Sequence, residues 1–102
     1  MSCAKFVSEV LYKFKLIKNV HVSVASTIKE LKISGWRKAN TKNLYLGDVL
    51  IWEKNNSGHY HIGFYVGDKL AISNSVKFRV PRVHHFTYRG KRSIKLALRY
   101  RS

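Results

Sequence analysis

The spacing of the apolar residues changes once along the chain, and this change limits the folds that the sequence can adopt. In the N-terminal third, apolar residues recur every three or four positions, as on one face of an amphipathic helix. The clearest stripe of this kind comprises Phe6, Val7, Val10, Leu11, Phe14 and Ile17. After residue 43 the period falls to two, and turn-forming residues separate the segments, as in β-strands. We therefore predict an α+β domain in which helices precede strands.

Two helices are predicted before the change of period. Ser2 or Met1 would precede the first helix, which puts Cys3 in its first turn. The second helix is expected over Ser23 to Ile33. Gly35 would end it, because glycine readily adopts the left-handed backbone found at helix ends.

The second part of the chain predicts a sheet. The stretch SGWRKANTKN is rich in turn formers and is predicted to be a loop. The segments predicted as strands are DVLIWEK, HYHIGFYV, KLAISNS, VKFRV and RSIKLALRYR. The resulting architecture is two N-terminal helices packed on an antiparallel sheet of about five strands.

Length and cysteine content restrict the class of protein. The 102 residues, 45% of them apolar, suit a single domain that spans residues 1–102. The single cysteine excludes an internal disulfide and a Cys-rich zinc site. No segment has the length of a transmembrane helix, and the N-terminal residues lack the pattern of a signal peptide.

The charge of the chain points to a polyanionic partner. Lys and Arg number 20 against 5 acidic residues, for a net charge of +15. From Lys69 to Ser102 there are ten basic residues and no acidic one. The positive electrostatic field of such a chain would attract nucleic acid, an anionic membrane surface or an anionic cell-wall polymer. Charge alone does not distinguish these partners.

Cys3 and His61 are the residue types of a thiol nucleophile and its base. The first turn of a helix stabilises a thiolate through unpaired N–H groups and the positive end of the helix dipole. A nearby imidazole can lower the thiol pKa further, and a third polar group then orients the ring. Taken alone, however, a single cysteine is most often a small buried apolar residue.

The hairpin that follows His61 suggests a third residue. If Gly67 and Asp68 form a two-residue turn, the numbers of facing residues sum to 135, and His61 faces Asn74. Facing side chains in an antiparallel pair share one face of the sheet, so Asn74 would hydrogen-bond the ring. A one-residue change of register would put Ser75 opposite His61 instead.

Three segments, in order, resemble one group of enzymes. SCAKFVSEVL, LGDVLIWE and HIGFYVGDKLAISNS are similar to the NlpC-type and CHAP-type cysteine hydrolases of the papain-like superfamily. In those families a Cys opens a helix, a Gly-Asp pair leads into a strand, and a His begins a second strand. The resemblance implies hydrolysis of an amide bond in peptidoglycan, by an endopeptidase or amidase, through an acyl-enzyme. It also implies action at the cell wall or outside the cell.

The resemblance assigns roles residue by residue. It makes Cys3 the nucleophile and His61 the base. The family spacing after the histidine falls on Ser73, whereas the hairpin register gives Asn74. We favour Asn74 as the third catalytic residue, since CHAP-type and papain-like sites more often carry Asn or an acid there, and keep Ser73 as the alternative. Asp48 and the tyrosines are candidates for shaping the substrate cleft.

The other histidines are expected to take no part in catalysis. His59, His84 and His85 are predicted to be solvated or to face the substrate, with His84 and His85 in a basic loop after Pro81. A metal site that includes His59 and His61 is not expected, because no helical His pair or acidic ligand cluster accompanies them. We therefore expect no cofactor. We also expect the protein to be a monomer.

Two other interpretations stay open. The first is a non-catalytic domain that binds nucleic acid, supported by the charge and by aromatic residues interleaved with Arg and Lys, such as Trp36, Tyr88 and Tyr100. No named nucleic-acid-binding motif accompanies them. The second is a hydrolase fold that has lost catalysis and only binds an anionic wall polymer.

Overall fold

Both predicted helices form, each capped by a serine. The computed structural model describes residues 2–75, 78 and 80–100. Helix α1 is Cys3–Lys13 and helix α2 is Val24–Ile33. The Ser2 hydroxyl accepts a hydrogen bond from the Lys5 N–H at 3.1 Å, so α1 begins at Cys3 as predicted. Among the residues that the structure describes, no helix is long and apolar enough to cross a membrane.

The strands form one antiparallel sheet. They are β1 (Trp36–Ala39), β2 (Val49–Trp52), β3 (His61–Gly67), β4 (Leu70–Asn74), β5 (Pro81–His85) and β6 (Ile94–Tyr100). Their order in the sheet is β1-β6-β2-β3-β4-β5. The prediction of an α+β chain with two helices and an antiparallel sheet is confirmed, with six strands instead of about five.

The extra strand lies where a loop was predicted. Trp36–Ala39 pairs with β6, and Trp36 is buried. Four residues are too few to display an alternating pattern, and the partner strand lies at the other end of the chain. Only the tertiary pairing therefore distinguishes β1 from a loop.

The segment VKFRV was predicted as a strand, and that prediction is not supported where it can be compared. Residues 76, 77 and 79 lie outside the described residues, Phe78 lies in a turn and Val80 in a bend. The strand begins instead at Pro81, which is tolerated as the first residue of an edge strand because no ladder N–H is needed there. His84 and His85 therefore lie on β5 and not in a loop.

Apolar side chains cover both faces of the sheet. The helix-side cluster contains Ala4, Val7 and Leu11 of α1, Leu31 of α2, and the strand residues Val49, Ile51, Ile62 and Leu98. The opposite face carries a second cluster of Leu50, Trp52, Ala71 and Ala97, with Phe86 and Tyr88 packed against it. Burial on both sides explains why β2 reads as the unbroken apolar run VLIW.

Asp48 has a structural role. Its carboxylate is almost fully buried, accepts hydrogen bonds from Arg99 Nε at 2.8 Å and Nη2 at 2.7 Å, and also accepts one from the Tyr45 N–H at 2.8 Å. The hydrogen bonds that Arg99 donates to Asp48 raise the pKa of Arg99. This ion pair ties the start of β2 to β6.

Candidate active site

The β3–β4 hairpin has a different register from the predicted one. The two turn residues are Asp68 and Lys69, both with positive φ (52° and 63°), and Gly67 pairs with Leu70. An irregularity between Tyr65 and Gly67 then shifts the pairing by one residue.

Beyond the irregularity, Gly63 faces Ser73, so the numbers of facing residues sum to 136 and not 135. The prediction that Asn74 faces His61 is therefore wrong. Ser73, opposite Gly63, shares the face on which His61 lies, whereas Asn74, the next residue of β4, points to the other face.

His61 and Ser73 are joined by a hydrogen bond. The distance from His61 Nε2 to Ser73 Oγ is 2.8 Å, and both side chains are buried. The absence of a side chain at Gly63 leaves room for this contact. A Cβ at Gly63 would stand 2.8 Å from the Ser73 Cβ and 2.5 Å from the carbonyl oxygen of Ile72.

The same serine connects β4 to β5 and to the loop that follows it. Ser73 Oγ lies 2.7 Å from His84 Nε2 and 3.4 Å from the Tyr88 hydroxyl. The rings of His84 and Tyr88 stack with centroids 4.1 Å apart and an interplanar angle of 14°. His84 is therefore half-buried and not solvated, which leaves the other expected position, facing the substrate. We refer to His61, Ser73, His84 and Tyr88 as the His–Ser–His cluster.

The hydrogen bonds of this cluster specify where each proton lies. His84 Nδ1 is 2.8 Å from the His85 carbonyl oxygen, which can only accept, so Nδ1 carries the proton. Neutral His84 then accepts through Nε2 from the Ser73 hydroxyl. Since that hydroxyl has one proton, it must accept from His61, which therefore donates through Nε2. The Nδ1 of His61 is left with its lone pair, as a general base requires.

Burial keeps both histidines neutral at physiological pH. Desolvation, with smaller contributions from the charge of Arg92 and from His84, lowers the pKa of His61 from 6.5 to about 4. Burial is also the main reason that the pKa of His84 is lowered and that of Tyr88 is raised. The proton arrangement derived for neutral rings therefore holds at neutral pH.

The structure does not bring Cys3 and His61 into contact, because they pack on opposite faces of the sheet. Cys3 is the first residue of α1, is half-buried, and packs against the helix-side cluster. The His61 ring packs on Trp52 on the other face, with centroids 5.3 Å apart. The Cys3 thiol adds to the rise in the pKa of Tyr88, so it is within electrostatic reach of that hydroxyl. Over the described part of the chain, no hydrogen bond joins Cys3 to His61.

A cavity of about 660 Å³ opens on the His–Ser–His cluster. The four cluster residues line it together with Asn74, Ser75, Phe78, Arg82, Val83, Lys91 and Arg92. Asn74 is thus close to the site, although it is not the partner of His61. No group of three or more His, Cys, Asp or Glu residues that could hold a metal ion occurs within the described ranges.

Sequence reasoning identified His61 and kept Ser73 as an alternative, but it missed His84 and Tyr88. If Pro81 had been taken as the start of a strand, the alternation of residues along β5 would have placed His84 on the same face of the sheet as Ser73. Nothing in the local pattern marks Tyr88, which follows the strand. No family model matches this chain, and no curated protein sequence matches it.

Proposed function

We propose that this protein is a cysteine hydrolase that cleaves an amide bond in peptidoglycan, with Cys3 as nucleophile and His61 as base. The observation that carries the proposal is the His61 ring, which Ser73 holds through Nε2 so that Nδ1 remains an acceptor beside a cavity. The choice of peptidoglycan as substrate comes from the resemblance of three segments to NlpC-type and CHAP-type hydrolases.

The proposed reaction requires Cys3 and His61, which are not in contact in this structure, to come within hydrogen-bond distance at the substrate. His61 Nδ1 then takes the proton of the Cys3 thiol as the sulfur attacks the amide carbonyl carbon. The tetrahedral adduct collapses when His61 returns that proton to the departing amine, which leaves a thioester on Cys3. Water then attacks the thioester, again with His61 as base, and releases the carboxylic acid and the free thiol. Unpaired N–H groups in the first turn of α1 stabilise the negative charge on sulfur.

The low pKa of His61 bears on how this reaction begins. A histidine with a pKa of about 4 is neutral at physiological pH, which disfavours a resting imidazolium–thiolate pair. We therefore assign His61 the role of a general base that becomes charged only during attack. In this proposal Ser73 takes the orienting role that was first given to Asn74.

The test is hydrolysis of purified peptidoglycan by matched variants. Cys3→Ala and His61→Ala should each abolish the release of peptide fragments, as measured by mass spectrometry, while binding to the wall is retained. His59→Ala is the control for loss of a histidine, since His59 is exposed two residues away, and it should keep its activity. Fragment release by Cys3→Ala would refute the mechanism.

A non-catalytic basic domain is the second candidate, favoured by the net charge of +15. If the protein binds nucleic acid, its affinity should fall steeply with salt, because bound counterions are released from the phosphates. Such binding should be the same in Cys3→Ala and in the unmodified protein. Salt-sensitive nucleic-acid binding, combined with no fragment release by the unmodified protein, would favour this alternative.

A further inference from the structure

Arg92 is a fixed cation at the cavity beside His61. Its Nε donates to the Glu53 carbonyl oxygen and its Nη2 to the His59 carbonyl oxygen, both at 3.1 Å. These acceptors hold the guanidinium in place without neutralising it, since both are backbone carbonyls. Within the described residues the ion pairs are Lys5–Glu9, His21–Glu30 and Arg99–Asp48, and none includes Arg92.

Two more cations line the same cavity. Arg82 and Lys91 are both exposed, and the Arg82 guanidinium carbon lies 4.3 Å from the centre of the Phe78 ring. No acidic side chain occurs among the described residues of the lining. The cavity therefore combines a concave surface with positive charge that no carboxylate of the lining offsets.

We propose that this cavity contains a subsite for an oxyanion of the ligand, a carboxylate or a phosphate, bound by Arg92 with Arg82 and Lys91 beside it. A guanidinium has five N–H donors in a planar fork that matches either group, and the backbone carbonyls use two of them. That the oxyanion belongs to a substrate rests on the proposed function, whereas the binding itself does not. The substrate would then carry its anionic group next to the amide bond that is cleaved.

An anion at this subsite would also act on His61. The side chains that contact or act on the His61 ring from other elements include Ser73 on β4, His84 on β5, and Trp52 and Tyr88. Cys3 of α1 acts on Tyr88. Among the causes that lower the pKa of His61, Arg92 is the group that is always charged. Neutralising that charge should raise the pKa of His61, so binding of an anion makes the imidazole a stronger base.

The experiment measures anion binding by NMR in the Cys3→Ala protein, which cannot turn over. The probes are N-acetylglycine, its neutral counterpart N-acetylglycinamide, and inorganic phosphate, and the ring nitrogens of His61 report binding. Arg92→Gln should weaken anion binding about ten-fold, the usual worth of a charged hydrogen bond. Arg37→Gln removes the same charge from an exposed position on β1, at the opposite edge of the sheet from β5, and should leave binding unchanged.

The results separate the subsite from general attraction. Saturable binding of N-acetylglycine or phosphate that depends on Arg92 and raises the His61 pKa supports the subsite, and the tighter probe identifies the oxyanion. Equal binding of the neutral amide, equal weakening in Arg37→Gln, or no saturable binding of either anion would overturn it. If Arg92→Gln does not fold, Arg82→Gln and Lys91→Gln, both at exposed positions, carry the test and should each weaken binding by about three-fold.

The same measurements distinguish failure of the subsite from failure of the proposed function. Arg92-dependent binding in a protein that releases no peptide fragments would support the subsite and contradict the hydrolase. Fragment release by the unmodified protein, without Arg92-dependent binding of either anion, would support the hydrolase and overturn the subsite.

Discussion

The Ser73 hydroxyl makes three hydrogen bonds, and together they determine the tautomer of His61. It donates to His84 and accepts from His61 and from Tyr88. A hydroxyl with one proton and two lone pairs is fully satisfied by these three partners. Replacing it would leave the His61 Nε2–H buried without an acceptor and would allow the ring to carry its proton on either nitrogen.

We predict that Ser73→Ala lowers kcat/KM for peptidoglycan fragments by about 10- to 100-fold, since a buried donor left unpaired costs about 1–3 kcal/mol. The ¹⁵N spectrum of His61 should change from a single Nε2–H form to a mixture of tautomers. Asn74→Ala is the comparison, because Asn74 lies on the other face of β4. It should leave the His61 tautomer unchanged, and the opposite pattern would show that Asn74 orients the base.

At the level of the element, the β3–β4 hairpin positions the cluster by its register and by a glycine. The irregularity between Tyr65 and Gly67 moves Ser73 onto the face of His61. Gly63 then allows β4 and Trp52 to approach, since a Cβ there would stand 2.5 Å from the Ile72 carbonyl oxygen and 3.1 Å from Trp52 Cη2. The geometry of the site thus depends on a backbone feature and on a missing side chain.

Gly63→Ala should therefore lower the free energy of unfolding by about 1–3 kcal/mol, the usual cost of overpacking a core, and should break the His61–Ser73 hydrogen bond. Gly67→Ala is the control within the same hairpin. It introduces strain, because its φ is 91°, but its Cβ would have no neighbour within 4 Å. Both variants should lose stability in urea titrations, whereas only Gly63→Ala should change the His61 NMR signals. An unchanged His61 spectrum in Gly63→Ala would contradict the packing argument.

For the molecule as a whole, three groups make the stability depend on pH, because folding lowers the pKa of His61, of His84 and of Glu30. His61 is buried in its neutral form, with a pKa of about 4. Desolvation alone would raise the pKa of Glu30, but hydrogen bonds from His21, from the Lys18 N–H and from Asn19 outweigh it and lower that pKa to about 2. Below the usual pKa of each group, the unfolded chain binds a proton that the folded chain does not.

The free energy of unfolding should consequently fall on acidification in two stages. It should drop by about 3 kcal/mol between pH 6.5 and about 4 as the unfolded chain protonates His61. A second decrease should follow between pH 4.5 and about 2 because of Glu30. Urea unfolding over this pH range should show the first stage reduced in His61→Gln, with the rest due to His84, and the second stage missing in Glu30→Gln. A first stage that is undiminished in His61→Gln, or reduced as much in the exposed-site control His59→Gln, would contradict this assignment.

Local patterns in the sequence were sufficient to predict the helices, most of the strands and the position of Cys3. The three- and four-residue spacing predicted both helices, and Ser2 or Met1 before the first one gave the position of Cys3 at the start of α1. The second helix begins at Val24, one residue later than predicted, because Ser23 is its cap. Apolar segments separated by turn residues predicted β2, β3, β4 and β6 and the antiparallel sheet. Helix caps and periodic apolar faces involve residues a few positions apart, so their physics is visible in a short stretch of sequence.

The partners of His61, by contrast, depend on contacts between residues far apart in the sequence. A two-residue turn could be placed on Gly67-Asp68 or on Asp68-Lys69, and one irregular residue in β3 determined whether Ser73 or Asn74 shared the face of the histidine. His84 entered the site because Pro81–His85 pairs with β4 across an intervening turn. Register and long-range pairing depend on the packing of both sheet faces at once, and a shift of one residue reverses every side chain, so no local pattern could have selected Ser73.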